Sequence, residues 1–450
     1  KYAWVINNLE TKNWLDLQFN QFSLIGGALG FVLPFFIYLR VGDNGVYRHG
    51  EERGSARFAT VKEIATFRDK VFENNMILTK NGFIGLFNKL LPYDKQLNKN
   101  TLVVGLPGDG KTQNYVKPNL MQMNGSYIVT DPKGLLVHEV GSLLAKNGYK
   151  IKVFDLVHLA NSNTFNIFNY MKSELDIDRV TEAIVDGTKK TDNQGENFWL
   201  TAELLLTRAL IGYLYFDSQL DDYTPNLSMV ADMMRNIRRT DEEQPSPVEQ
   251  MFEELEERLP GNYAYKQWAL FNSNFEAETR MGVTTQVATR YSIFDHADVA
   301  KMIAEDTMDI DRWNIEKTAV FIAIPETNKS FNFLASLLFA TIFEELTHGS
   351  DAILQGERPG LSATDLVQVI IDEFANIGKI PNFNEVLASV RSREISIKII
   401  IQAINQLKSL YNKDWETIFN NCACHLFLGT NDKDTMNYYS TRADQSETIF

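Results

Sequence analysis

One short stretch limits the possible folds more than any other part of the chain. Residues 101–112 read TLVVGLPGDGKT, a β-branched run followed by the spacing G-x-x-x-x-G-K-T. This is the spacing of a phosphate-binding loop, and its place directly after a predicted strand is the expected one. The alternative is a glycine-rich turn that matches by chance, which the preceding strand and a second motif downstream disfavour. The stretch therefore predicts a strand, a phosphate-binding loop and a helix, in that order.

The residues of this loop predict its ligand, a nucleoside triphosphate with Mg²⁺. Glycines let backbone N–H groups approach phosphate oxygens where side chains would collide. Lys111 is expected to reach the β- and γ-phosphates, and the Thr112 hydroxyl is expected to bind the metal. The full set predicted to bind the nucleotide in this loop is Gly105, Pro107, Gly108, Asp109, Gly110, Lys111 and Thr112.

A second motif stands far downstream, at the end of another predicted strand. Residues 367–373 read VQVIIDE, an apolar run that ends in Asp372 and Glu373. Because the carboxyl ends of parallel strands meet at one edge of a sheet, both carboxylates are expected beside the phosphate-binding loop. Asp372 is predicted to hold Mg²⁺ beside Thr112, and Glu373 to orient or deprotonate an attacking water. Strands often end in acidic turn residues, so this motif alone is a weak signal. It indicates a site only in combination with the phosphate-binding loop.

Short apolar runs enriched in β-branched residues recur along the chain and alternate with helical patterns. Strands that are apolar along their whole length are typical of a parallel sheet covered by helices on both faces. The runs lie at residues 127–131, 151–155, 319–324, 367–372, 395–401 and 425–428. They predict an α/β nucleotide-binding domain with a mostly parallel sheet, formed by residues 42–170 and 312–450.

Residues 171–311 interrupt this alternation with helical runs, such as residues 200–215 and 250–259. We interpret them as an all-α domain inserted into the α/β domain, which explains much of the chain length between Lys111 and Asp372. An acidic stretch within this segment is most simply a solvated helix face. A docking surface for a basic partner is the alternative.

Residues 22–39 read FSLIGGALGFVLPFFIYL and carry no charge. This length just suffices for a membrane-spanning helix, and such helices tolerate Pro34 and the glycines better than soluble helices do. Arg40 ends the run and further arginines follow, so the positive-inside rule places everything after residue 40 in the cytoplasm. A buried hydrophobic hairpin of a soluble domain is the alternative. We expect residues 1–41 to be a membrane-anchor region, and a chain that begins with Lys1 to be a fragment.

The acidic charge balance of the chain argues against a broad basic surface. A net charge of −14 disfavours a broad basic face for nucleic acid, and leaves room for local basic strips or for a partner bound elsewhere. The two cysteines, Cys422 and Cys424, are too few for a zinc site and are expected to be buried in a reducing compartment.

Several further stretches accompany the loop and the carboxylate pair. They are residues 54–59 (GSARFA), 130–134 (TDPKG), 197–199 (NFW), 372–378 (DEFANIG), Pro381 and 402–406 (QAINQ). Together they resemble the type IV secretion coupling proteins, the TraG/TraD-like conjugation ATPases related to the FtsK and HerA translocases. The resemblance runs from residue 22 to the C-terminus. The DEFANIG and DPKG stretches are specific to the family. Because members usually carry two N-terminal membrane helices, the first is expected upstream of Lys1.

The resemblance also implies roles for single residues. Gln402 is implied as a sensor of the γ-phosphate or the attacking water, and a glutamine that satisfies local backbone groups is the alternative. Ring translocases complete each site with an arginine from the neighbouring subunit, for which Arg391 and Arg393 are the candidates. Basic residues at a helix C-terminus also suit the helix dipole. Thr130 and Asp131 are expected to line the nucleotide site, and Lys133 is a candidate for a central pore.

The activity implied by the resemblance is Mg²⁺-dependent ATP hydrolysis by a RecA-like P-loop NTPase at the inner membrane. A homohexameric ring would pass single-stranded DNA with its relaxase into a type IV secretion channel, and the helical insertion would recognise the relaxosome. Two other classes stay open. One is a membrane docking scaffold that hydrolyses little, which the acidic charge favours. The other is an FtsK-like pump of double-stranded DNA, which the DEFANIG and DPKG stretches disfavour.

Overall fold

The computed structural model describes residues 21–41, 59–87, 90–93, 96–159, 161–188, 197–239, 241, 243–325, 332–361 and 364–443. The chain divides into two compact units, one comprising Lys1–Phe58 with Ser440–Phe450 and the other comprising Ala59–Tyr439. Residues 1–20 and nearly all of the predicted match at 54–59 lie outside the described residues.

The described residues at the N-terminus form a helix, α1 (Gln21–Val41), with Pro34 inside it. Large apolar side chains on this helix, such as Phe22 and Phe31, are exposed. The helix predicted over residues 22–39 is therefore present. Among the described residues, however, no helix combines the length and the apolar character needed to cross a membrane. The membrane-spanning part of that prediction is thus not supported.

The second unit contains a large sheet and a separate strand pair. Its strands are β1 (Asn75–Ile77), β2 (Phe83–Gly85), β3 (Thr101–Val104), β4 (Ser126–Thr130), β5 (Lys150–Asp155), β6 (Thr318–Ala323), β7 (Val367–Ile371), β8 (Ile395–Ile401) and β9 (Cys424–Phe427). Seven of them form one parallel sheet in the order β5-β6-β4-β7-β8-β3-β9. The predicted parallel α/β fold is confirmed. The antiparallel pair β1-β2 was not predicted.

Helices fill most of the connections between these strands. They are α2 (Val61–Ala65), α3 (Lys117–Leu120), α4 (Leu136–Lys146), α5 (Leu175–Thr188), α6 (Asn197–Asp221), α7 (Leu227–Arg235), α8 (Pro247–Arg258), α9 (Tyr263–Asn274), α10 (Ala277–Tyr291), α11 (Ala297–Ala304), α12 (Asn332–Leu354), α13 (Phe383–Ser389), α14 (Ile404–Tyr411), α15 (Trp415–Asn420) and α16 (Lys433–Ala443). The described residues between 171 and 311 contain no strand. They nevertheless belong to the same compact unit as the sheet.

Both faces of the sheet are buried along its inner strands, such as β6, β7 and β8, which explains why these strands are mostly apolar. On β8, Ile397 and Ile399 belong to the larger hydrophobic core, whereas Ile400 belongs to the smaller core on the other face, as alternation along a strand requires. The larger core also contains Leu206 of α6 and Phe343 of α12. The helical segment and one face of the sheet therefore share a single core.

Lys398 is a charged residue within the mostly apolar strand β8. Lys398 is 0% exposed, and its Nζ donates hydrogen bonds of 2.7 Å to Gln368 Oε1 and Ser396 Oγ. Burial lowers the pKa of this amine well below its ordinary value of 10.5, because a low-dielectric interior disfavours the charged form. The amine joins β8 to β7 through Gln368, near the middle of the sheet.

Lys398→Met should flatten the pH dependence of stability. The folded protein releases the Lys398 proton at a pH where the unfolded chain keeps it, so the unfolded state binds one proton more in that window. The free energy of unfolding of the parent should therefore rise with pH towards 10.5, by up to about 1.4 kcal/mol per pH unit more than in the variant. Urea denaturation at a series of pH values measures this, with exposed Lys413→Met as the control. Parallel curves for parent and Lys398→Met would contradict it.

Candidate functional site

The order of the strands brings the two distant motifs together. β3, which leads into the loop, pairs with β8, and β8 pairs with β7, which leads to Asp372. In the parallel register Val104 stands opposite Ile401, and Ile371 stands opposite Ile399. The three strands therefore end at the same edge of the sheet, where polar side chains following each of them can meet.

The loop after β3 adopts a conformation that needs glycine. Gly108 and Gly110 have φ values of 93° and 78°, in the left-handed region that other residues rarely adopt. A Cβ on Gly110 would also lie 2.4 Å from Asn114 Nδ2. Asp109 Oδ2 accepts the Leu106 N–H at 2.6 Å, which braces the loop internally. A π-helical turn, Lys111–Val116, follows the loop and continues into α3.

Lys111 lies on the floor of this loop. It is 7% exposed, and its Nζ donates to the carbonyls of Gly105 at 2.8 Å and Leu106 at 3.1 Å. The same nitrogen lies 4.0 Å from Glu373 Oε1. A cation is thus held between the loop backbone and the second motif, which is the placement that phosphate binding requires.

Thr112 and Asp372, which are 260 residues apart in the chain, form a hydrogen bond of 2.8 Å from Thr112 Oγ1 to Asp372 Oδ2. Asp372 is 5% exposed, and its carbonyl accepts the Thr130 hydroxyl at 2.6 Å. One hydroxyl and one carboxylate fit Mg²⁺, which usually takes one or two carboxylates together with phosphate oxygens. Among the described residues there is no cluster of three or more histidine, cysteine or acidic side chains for a metal, and Mg²⁺ bound in this way does not need one.

Glu373 lies next to this pair with a backbone conformation that non-glycine residues rarely adopt. Its φ is 52°, and strain of this kind clusters at functional sites. Gln402 Nε2 lies 3.1 Å from Glu373 Oε1 and 3.0 Å from Glu373 Oε2. Three predicted residues, Lys111, Glu373 and Gln402, thus converge at the loop. Gln402 contacts Glu373 directly, a pairing that was not predicted.

Asp131 is hydrogen-bonded through its carboxylate to the backbone that directly follows it. It is 3% exposed, and its Oδ2 accepts the Leu136 N–H at the start of α4 at 2.5 Å. Burial raises the pKa of Asp131, and backbone hydrogen bonds from the same turn oppose this effect. A nucleotide contact of Asp131 stays a prediction. Lys133, on the same loop, is exposed.

Arg391 and Arg393 lie on the turn Val390–Arg393, which precedes β8. They are therefore at the opposite edge of the sheet from the loop, roughly 20 Å away along the strand. Arg393 donates to both carboxylate oxygens of Asp351 at 2.8 Å. Arg391 is exposed, and its Nη2 donates to the Gln96 carbonyl at 3.0 Å. Neither arginine joins the loop of its own chain.

Two residues near the site make contacts that the sequence did not predict. Thr130 holds the Asp372 carbonyl, and Gln406 Oε1 accepts the Gln402 N–H at 2.8 Å. Thr130 follows the general signal of a polar residue at the carboxyl end of a strand. No local pattern distinguishes Gln406 from other polar residues in the first turn of a helix.

A strand, a glycine-dependent loop with a buried lysine, and a threonine–aspartate pair beside a glutamate define a P-loop nucleotide-binding domain. The sequence matches a known family over residues 58–445, which is most of the chain. The chain belongs to this family, described as type IV secretory system conjugative DNA transfer. No curated protein matches it.

Solved structures with the same fold include conjugative coupling proteins. The trigonal form of the bacterial coupling protein TrwBdeltaN70 with sulphate has a TM-score of 0.58 at 17% identity, covering 83% of this chain and 78% of that one. The plasmid coupling protein TrwB with ADP and Mg²⁺ has a TM-score of 0.58 at 16% identity, covering 86% and 82%. VirB4 of Thermoanaerobacter pseudethanolicus has a TM-score of 0.51 at 12% identity, covering 84% and 88%. At these identities the likeness shows the fold.

Gly110→Ala should destabilise the protein more than Gly148→Ala does. Both glycines have positive φ, so each alanine adds about 1–2 kcal/mol of backbone strain. Of the two, only Gly110 has a side chain, that of Asn114, within 4 Å of the added Cβ. Moving this exposed amide away from its rotamer should add up to about 1 kcal/mol. Urea denaturation of the two variants measures the difference. Equal losses would show that the loop relaxes around the new side chain.

Proposed function

We propose that the chain is an ATP-hydrolysing coupling protein of a type IV secretion system, which drives DNA and protein transfer during conjugation. The observation that carries this proposal is the meeting of Lys111, Thr112, Asp372 and Glu373 at one edge of the sheet, although the two motifs lie 260 residues apart. The family match supports the biological role. Structures of TrwB with ADP and Mg²⁺ and with an ATP analogue support the choice of ligand.

The geometry supports a division of labour among these side chains. The Lys111 ammonium would exchange the carbonyls of Gly105 and Leu106 for phosphate oxygens, to which it binds more strongly because they are charged. Thr112 and Asp372 would hold Mg²⁺, which when bound neutralises charge on the phosphates. The Glu373 carboxylate, close to the loop, would orient a water and accept its proton.

Neither Arg391 nor Arg393 lies at the phosphate-binding loop of its own chain. We propose that a neighbouring subunit of a homohexameric ring supplies the arginine. Arg391 suits this role because its guanidinium is exposed and lines an open depression of about 460 Å³ at the opposite edge of the sheet. Arg393 is already paired with Asp351. A ring in which the loop of one subunit faces Arg391 of the next would complete every site in the same way.

The substrate and location are proposed from the family. The ring would stand at the inner membrane, receive single-stranded DNA with its relaxase, and pass both to the secretion channel. The helices of residues 171–311 would recognise the relaxosome, and Lys133 would contact DNA in the pore. The net charge of −14 favours local DNA contacts over a broad basic surface.

A docking scaffold that binds nucleotide and hydrolyses little is the second candidate, which the acidic charge favours. DNA distinguishes the two proposals, since a motor should release phosphate faster in its presence. Single-stranded and double-stranded DNA, compared at several salt concentrations, also separate a conjugation motor from an FtsK-like pump. A lack of stimulation by either DNA at any salt concentration would favour the scaffold.

Glu373→Gln should abolish ATP hydrolysis while it leaves nucleotide binding intact. Loss of a general base lowers kcat by about 100-fold or more, whereas the loop that binds the phosphates is unchanged. Lys111→Ala should weaken binding as well as hydrolysis. Phosphate release and fluorescent-nucleotide titration measure the two effects, with Glu385→Gln, an exposed site on α13, as the control. Undiminished hydrolysis by Glu373→Gln would exclude the proposed role.

Mixtures of two inactive variants should test the arginine in trans. Arg391→Ala subunits keep a complete loop, and Lys111→Ala subunits keep the arginine, so mixed rings contain some complete sites. ATPase activity should therefore reappear on mixing, while each variant alone stays inactive. Arg393→Ala should instead lower stability, since it removes both hydrogen bonds to Asp351. Mixtures that remain inactive, although gel filtration shows mixed rings, would exclude Arg391 as the residue supplied in trans.

A further inference from the structure

We propose that Gln402 is a positioning residue that acts through Glu373, and does not sense the γ-phosphate itself. This inference rests on the proposed ATPase function and assigns one step within it. The amide of Gln402 holds the Glu373 carboxylate in the orientation needed for attack by water.

The contact between the two side chains is specific. Gln402 Nε2 lies 3.1 Å and 3.0 Å from the two oxygens of Glu373, so the amide nitrogen bridges the whole carboxylate. The reverse orientation of the amide would place its oxygen against two acceptors and form no hydrogen bond. The donor end of Gln402 is therefore directed at the carboxylate.

Hydrogen bonds also fix the backbone that carries this amide. Gln406 Oε1 accepts the Gln402 N–H at 2.8 Å, and the Gln402 carbonyl accepts the Thr430 hydroxyl at 3.4 Å. Two residues further on, the Ile404 N–H donates to Thr435 Oγ1 at 2.9 Å. The segments that follow β8 and β9 thus hold Gln402 from both sides, which makes it a firm support for a partner.

Glu373 requires a partner that holds the orientation of its side chain. Its backbone is strained at a φ of 52°, and its side chain is 21% exposed and 4.0 Å from Lys111 Nζ. When a phosphate draws the Lys111 ammonium, the attraction between lysine and carboxylate weakens. Gln402 then continues to aim Glu373.

Nucleotide affinity in the Glu373→Gln background separates positioning from sensing. This background removes hydrolysis, so ATP and ADP affinities can be measured directly with fluorescent nucleotides. Adding Gln402→Ala should change both affinities by less than about twofold, because the amide does not contact the γ-phosphate. A loss of about tenfold or more in ATP affinity alone, the effect expected of one lost hydrogen bond to a charged group, would overturn the proposal.

The split between kcat and KM provides a second readout, which a merely structural role would not produce. Gln402→Ala in the otherwise unaltered chain should lower kcat by about 10- to 100-fold with little change in KM for ATP. Gln402→Asn keeps an amide and should therefore retain part of the parental kcat.

Ser409→Ala is the matched control, since it changes an exposed residue of α14, the helix that follows Gln402, and leaves the amide–carboxylate contact in place. It should keep the parental kcat and KM. If Gln402→Ala also keeps the parental kcat, Gln402 does not act through Glu373. If the parent binds no ATP at all, the proposed function itself fails, an outcome distinct from either of these.

Discussion

The parallel pairing of β3, β8 and β7 is the constraint on which the rest of the site depends. Each of these strands delivers one part of the chemistry at the same edge: the loop after β3, Gln402 after β8, and Asp372 with Glu373 after β7. The hydrogen bond between Thr112 and Asp372 can form only while the strands between them keep their register. Lys398 contributes to that register from within the sheet, since its buried amine joins β8 to Gln368 of β7.

The elements that could be predicted from the sequence are those with a local cause. A β-branched run such as residues 395–401 is mostly apolar because both of its sides are buried, so its predicted length and position were correct. The loop was recognisable because phosphate binding demands glycine at particular places. The strand order was not accessible in this way, because it follows from packing between segments hundreds of residues apart. The pairing of Gln402 with Glu373 depends on that order, and it was missed for this reason.

Two further features of the structure have local explanations. Asp131, whose contact with a nucleotide stays a prediction, accepts a hydrogen bond from the first turn of α4, where several unpaired N–H groups attract an acceptor. The pair β1-β2 was not predicted because its strands have only three residues each, too few to show an alternating pattern.

The helical segment between residues 171 and 311 bears on how such a protein could perform work. Its first helix, α5, contacts α12 through the ion pair between Arg179 and Glu344, and Lys172, just before α5, pairs with Glu345 of α12 at 2.7 Å. These helices share one hydrophobic core with the sheet. Domains that share a large apolar interface move little relative to each other. In the proposed ring, a conformational change that begins at Glu373 would then act mainly between neighbouring subunits, at the edge of the sheet where Arg391 lies, and less within one chain.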